Sequence, residues 1–155
     1  MNSKEQTMPK QHVFISYCRE NQQTVQRLRD DLINAGEQVW WDQEILGGQD
    51  WDYAIRKAMN DSYAVIVCFS QEMEVRIRSG VYPELRDAIK LQRQYGPGSV
   101  FIIPVRLSNC QIPAMKIDDT QTLNSLQRID LFPSSARKKG IQSLVQALRF
   151  APAHP

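Results

Sequence analysis

Apolar residues recur along the chain in two rhythms, short compact runs and longer stretches with an apolar residue at every third or fourth place. Val13-Phe14-Ile15-Ser16-Tyr17 is β-branched and aromatic and ends in polar residues, which predicts a buried strand. Glu20 to Ala35 spaces Val25, Leu28, Leu32 and Ala35 for an amphipathic helix, with Gly36 placed as a left-handed cap. Gln38 to Asp42 (QVWWD) predicts a second strand, and Gln43 to Gln49, with its Gly47-Gly48 pair, a loop of unusual backbone freedom. Asp50 or Asp52 caps a second helix that turns Ile55, Ala58 and Met59 inward. Tyr63 to Phe69 is apolar throughout, as a strand covered on both faces is. Ser70 to Tyr82 shows no sustained period. Pro83 suits the first turn of a helix running to about Gln94, with Leu85, Ala88 and Ile89 inward, so Glu84 lies in that turn. After the Gly96-Pro97-Gly98 turn, Val100 to Val105 predicts a fourth strand in which Pro104 faces no ladder acceptor, and Gln127 to Phe132 a weaker fifth. Ser134 or Ser135 caps a last helix with Ile141, Leu144, Val145 and Leu148 on one face.

Strands alternating with helices imply a mostly parallel sheet covered on both faces, because parallel neighbours need right-handed crossovers. The expected fold is α/β, a flavodoxin-like five-stranded parallel sheet with helices on both faces. It occupies residues 12–149, after a disordered leader (1–11) and before a tail (150–155). With 42% hydrophobic and 23% charged residues, 155 residues fit one globular domain. Nineteen Lys and Arg against 17 Asp and Glu leave a formal charge of +2, with no basic run to argue for nucleic acid. The apolar runs fall far short of the roughly 20 residues of a membrane-spanning helix, so no membrane partner is expected. The polar start lacks the apolar core of a secretory signal, which makes a cytoplasmic setting the expectation. Cys18, Cys68 and Cys110 are widely spaced, without a CxxC pair, and read as reduced packing residues; neither a disulfide framework nor a metal site is expected.

In open α/β sheets ligands bind beyond the carboxyl ends of the strands, where the winding reverses. That edge carries Ser16, Tyr17, Cys18 and Arg19 after the first strand, Asp42 and the glycine loop after the second, and Ser70 to Glu84 after the third. No GxGxxG or Walker sequence follows any strand, and Phe69-Ser70 stands where a phosphoacceptor Asp would end the third. His12 and His154 lie far from this edge in the sequence, which leaves Ser-His or Cys-His catalysis without a base. Carboxylate chemistry remains.

Taken in order, Val13 to Tyr17 (VFISY), the Trp41-Asp42 strand end with its glycine loop closing on Trp51, the Ser70 strand end and the Pro83-Glu84-Leu85 helix start resemble a Toll/interleukin receptor homology (TIR) domain, most similar to its bacterial branch. The departure precedes the helix: the family often has Trp-Cys or Trp-Val four and three residues ahead of the glutamate, where this chain has Gly80 and Val81. The resemblance implies one of two jobs, self-association in signalling or cleavage of NAD at the nicotinamide-ribose bond. In the enzymatic branch one glutamate at the start of the helix after the third strand is catalytic, and Glu84 matches it. Trp51 matches the aromatic position that packs on the nucleotide. Tyr17 and Arg19 match cleft positions, Arg19 being suited to the pyrophosphate ahead of Arg76 or Arg78. Ser16, Asp42 and Ser70 are candidate ribose or backbone organisers. The loop at Gly48 would act as a lid, and the family uses it to contact neighbouring subunits.

Nicotinamide leaves a cationic glycoside as a neutral amine, so no general acid is needed, while positive charge builds on the ribose and a carboxylate can stabilise it. First-turn placement favours the Glu84 anion by about 0.3 to 1 kcal/mol when exposed. Plainer readings stand beside these: Glu84 solvated, Trp51 stapling the second helix, Asp42 bracing its loop, Ser16 satisfying strand-end backbone and Arg19 on the surface. Trp40 and Trp41 adjoin in a strand and face opposite sides, with Trp40 expected in the core. The leading expectation is a TIR-domain NAD glycohydrolase, with NAD as substrate and no cofactor, yielding nicotinamide and ADP-ribose or a cyclic product. Self-association with other TIR domains would activate it, in bacterial immune signalling. The alternatives are a non-catalytic TIR interaction module and a nucleotide-binding sensor without turnover. A sensor or repeat domain is often joined to such a unit, and Ala151 to Pro155 reads as the start of a linker.

Overall fold

The β-branched and aromatic runs become five strands, β1 (His12–Ser16), β2 (Val39–Trp40), β3 (Ser62–Phe69), β4 (Ile102–Arg106) and β5 (Ile129–Asp130). All pair in parallel, in the order β2-β1-β3-β4-β5, in the computed structural model, which describes residues 10–80 and 82–155. Of the expected leader, residues 1–9 lie outside the described residues, as does Val81. The helices are α1 (Gln22–Asn34), α2 (Trp51–Asn60), α3 (Gln71–Arg78), α4 (Pro83–Tyr95) and α5 (Ser134–Arg149). This is the expected flavodoxin-like winding.

β3 is buried at all eight positions, because its alternating side chains feed two separate cores. On one face Ala64, Ile66 and Cys68 meet Val25, Leu28 and Leu32 of α1 and Leu144 and Leu148 of α5. On the other, Val65, Val67 and Phe69 meet Ile55 and Met59 of α2, Met73 of α3 and Leu85 and Ile89 of α4. Pro104 breaks no ladder: β5 pairs only with Val105 and Arg106, so no strand partner stands opposite its missing N–H. Gly36 takes φ +96° after α1, the left-handed conformation expected of it. Gly140 brings α5 against β5, since a Cβ there would stand 2.5 Å from the Asp130 carbonyl oxygen.

Several expectations are corrected. Residues 70–82 contain α3, which buries only Met73 and so offers no apolar period to read. Trp41, not Trp40, is the core tryptophan: Trp41 is 7% exposed, whereas Trp40 is partly buried and stacks on Phe14 with ring centroids 5.1 Å apart. β2 spans only Val39–Trp40 at the sheet edge, so the alternation argument had too short a strand to act on. The expected cap of α2 is present, and of its two candidates Asp50 provides it, accepting from the Tyr53 N–H at 2.8 Å. Neither Ser134 nor Ser135 caps α5; Pro133 holds that position without a side-chain bond.

At the amino edge of the sheet the tail returns to the body. His154 Nε2 lies 3.1 Å from Glu37 Oε1, and its ring meets Tyr63 edge-on at 4.8 Å. Tyr63 donates to the same Glu37 oxygen at 2.5 Å. Among the described residues no helix is long and apolar enough to cross a membrane.

Candidate functional site

The winding reverses between β1 and β3, which opens a crevice beyond their carboxyl ends. Ser16 closes β1 there, only 2% exposed, opposite Val67 of β3. α4 begins beside it, because Pro83 presets the helical φ at the first position and so puts Glu84 in the first turn. Ser16 Oγ donates to Glu84 Oε1 at 3.1 Å and is also hydrogen-bonded to the Tyr82 hydroxyl. An ionised carboxylate only accepts, so the single Ser16 proton goes to Glu84 and Tyr82 is the donor to Ser16.

A second pair stands alongside. The Tyr17 hydroxyl donates to Asp42 Oδ1, and the Tyr17 ring lies 5.9 Å from that of Trp41. Burial, and then the bond to Asp42, push the Tyr17 phenol well above its ordinary range, so it remains a donor. Arg29 places its guanidinium 5.4 Å from the Trp41 ring centroid. A third group braces the floor: Ser70 caps α3 by accepting from the Met73 N–H at 3.0 Å and donates to Asn21 Oδ1 at 2.6 Å. Cys18 Sγ donates to the same Asn21 oxygen at 2.9 Å. Ser70 therefore ties the segment after β1 to α3.

Glu84 is partly buried, and loss of solvent holds its carboxyl above the ordinary range. The Ser16 bond pulls the other way, while the charges of Asp42 and Asp87 add to the rise. The expected gain from the helix dipole applies to an exposed carboxylate; here the loss of solvent outweighs it.

The structure thus gathers Ser16, Tyr17, Asp42, Ser70 and Glu84 at one edge. Arg19 is exposed and Trp51 is 53% exposed at the first position of α2; among the described residues no hydrogen bond or ion pair joins either to Glu84. Gly48 lies in the loop with φ +91°, a conformation that favours glycine. Arg76 and Arg78 pair with Glu20 at 2.9 Å and Glu74 at 3.4 Å. Leu46, Trp51 and Tyr53 expose apolar surface around the glycine loop, where Trp40, Leu46 and Tyr53 line a hollow of about 480 Å³. A second hollow of about 470 Å³ is lined by Val100, Ile129 and Gly140. Among the described residues no group of three or more His, Cys, Asp or Glu could hold a metal ion.

Sequence reasoning missed Tyr82 and Asn21. For Tyr82 a signal existed, an aromatic residue directly before the Pro-Glu helix start. Asn21 gave none, since its partner Ser70 is 49 residues away in sequence.

A TIR-domain family model matches residues 13–145. No curated protein sequence matches the chain. Among solved structures, the TIR domain of the Toll-related receptor TRR-2 from Hydra magnipapillata is similar with TM-score 0.63 and 20% identity, over 88% of this chain and 97% of that one. A TIR-STING receptor from C. gigas, in complex with 2',3'-cGAMP, is similar with TM-score 0.66 and 20% identity, over 89% of this chain and 39% of that one. The TIR domains of the activated Roq1 resistosome, which directly recognises the pathogen effector XopQ, give TM-score 0.52 and 21% identity, over 61% and 56%. The structural likenesses establish a common fold, the family model spans most of the sequence, and the chain belongs to the TIR-domain family.

Proposed function

We propose that this TIR domain cleaves NAD at the nicotinamide-ribose bond, with Glu84 as the catalytic residue. The observation that carries the reading is a partly buried carboxylate, oriented by a buried serine, at the crevice where the sheet winding reverses. Glu84 faces the ribose as its cationic charge grows, and strengthening bonds to ribose hydroxyls add to the effect. Tyr17, held by Asp42, forms the aromatic wall on the β2 side. Trp51 and the loop at Gly48 close over the nucleotide, and Arg19 meets its pyrophosphate. Water or the adenine ring then takes the ribose cation, giving ADP-ribose or its cyclic form.

Association of several copies assembles the active form, in cytoplasmic immune signalling and under the control of a fused sensor domain. The exposed Leu46, Trp51 and Tyr53 support this part of the reading. The same surface favours the second reading, a silent TIR module that only binds other TIR domains. Incubating the purified chain with NAD at high protein concentration and following nicotinamide release separates them: release that grows faster than protein concentration supports the enzyme, and none in any assembled form supports the module.

Glu84 works as the anion, so its raised pKa sets the acid limb of kcat/KM. The rate falls as pH drops through a value above about 4.3, the usual glutamate position, and is level above it. A pH-rate profile reads this directly, and a limb at or below the usual position contradicts the assigned environment.

A further inference from the structure

We propose that Tyr82 is a positioning residue for Glu84 that acts through Ser16: a relay of Tyr82 O–H to Ser16 Oγ and Ser16 O–H to the Glu84 carboxylate holds the anion in one orientation. In its catalytic consequence this rests on the NAD-cleavage reading; the relay itself does not.

Ser16 is 2% exposed at the end of β1, so its hydroxyl finds its partners inside the protein, and among the described residues these are Tyr82 and Glu84. With the serine proton committed to the carboxylate, one of its lone pairs receives the phenol proton. A hydroxyl that accepts a hydrogen bond becomes a better donor, so the phenol strengthens the bond that Glu84 feels. The groups facing Glu84 otherwise oppose its charge: Asp42 from the loop after β2 and Asp87 along α4 are both acidic. The phenol of Tyr82 is itself pushed far up, first by burial and then by the charge of Glu84, with its bond to Ser16 pulling the other way. It stays a donor throughout the working pH range. α4 supplies both ends of the relay, since Tyr82 is its N-cap residue and Glu84 lies two positions on, while β1 supplies the middle. A Tyr82 that served only to pack would be replaced by phenylalanine without consequence for Glu84.

The test is an NMR titration of the ¹³C-labelled Glu84 carboxyl in the full chain and in its Ser16→Ala, Tyr82→Phe and doubly substituted forms. Ser16→Ala raises the titration midpoint by about one unit and Tyr82→Phe by roughly half a unit. The double variant moves it no further than Ser16→Ala alone, because among the described residues the hydrogen bonds of Tyr82 reach the carboxylate through Ser16 and not directly. The acid limb of kcat/KM shifts in step. An unmoved midpoint in Tyr82→Phe, or shifts that simply add in the double variant, would overturn the relay. If the midpoints move as stated while the unsubstituted chain releases no nicotinamide, the relay stands and the NAD reading falls.

Discussion

Replacing Glu84 by Gln lowers nicotinamide release from NAD by about 100- to 1000-fold, the usual loss when one preorganised electrostatic group is removed from a reacting centre. The same substitution raises the melting temperature at neutral pH. For a carboxyl whose folded-state pKa lies above its unfolded value, stability is full below the unfolded value, about 4.3, and is lost as pH rises through the folded one. At neutral pH the chain therefore carries the cost of a partly buried negative charge that faces Asp42 and Asp87. The amide removes that charge and still accepts from Ser16. A chain of this size gains about 2–4 °C for each kcal/mol, and the difference shrinks to nothing in acid, where Glu84 is protonated anyway. Thermal melts at the two pH values read it. A rate left unchanged removes Glu84 from the mechanism. A large loss of both rate and stability marks it as a residue that holds the fold.

The largest effect on stability is expected at the opposite edge of the sheet. Tyr63→Phe removes a hydrogen bond to Glu37, a carboxylate only 5% exposed whose other side-chain partner among the described residues is His154. Taking a donor from a buried charged group costs about 1.5–3 kcal/mol, or roughly 3–12 °C in melting temperature here. Substituting Glu37→Met as well recovers much of that loss, because two apolar groups of similar size leave no buried acceptor without its donor. Nicotinamide release per folded molecule stays the same in both variants. Differential scanning calorimetry checks the pair of melts; a melting temperature unmoved by Tyr63→Phe would mean that solvent reaches Glu37.

What could be read in the sequence follows from where the information lies. β3 was legible because a strand buried on both faces is written as an unbroken apolar run. α1, α4 and α5 were legible because each shows a repeated apolar stripe to one core. α3 was not, since it is held by the Ser70 cap and a single buried methionine. Trp40 and Trp41 were exchanged because β2 is a two-residue edge strand whose neighbours decide which ring is covered. At the site, Ser16 and Glu84 followed from strand ends and a helix start. Tyr82 did not, because an aromatic residue before a Pro-Glu helix start marks a position but not its partner, and its hydroxyl meets Ser16 66 residues away. Glu37, Tyr63 and His154 escaped for the same reason: a buried polar triad joins three segments whose local sequences each read as ordinary.

A crystal structure of the Glu84→Gln variant with NAD tests the central claim most directly. The account predicts the nicotinamide ribose with a hydroxyl about 2.6–3.2 Å from the side chain at position 84, and Tyr17 beside it. NAD seated instead in the hollow between Val100, Ile129 and Gly140, or a ribose out of reach of position 84, would contradict it.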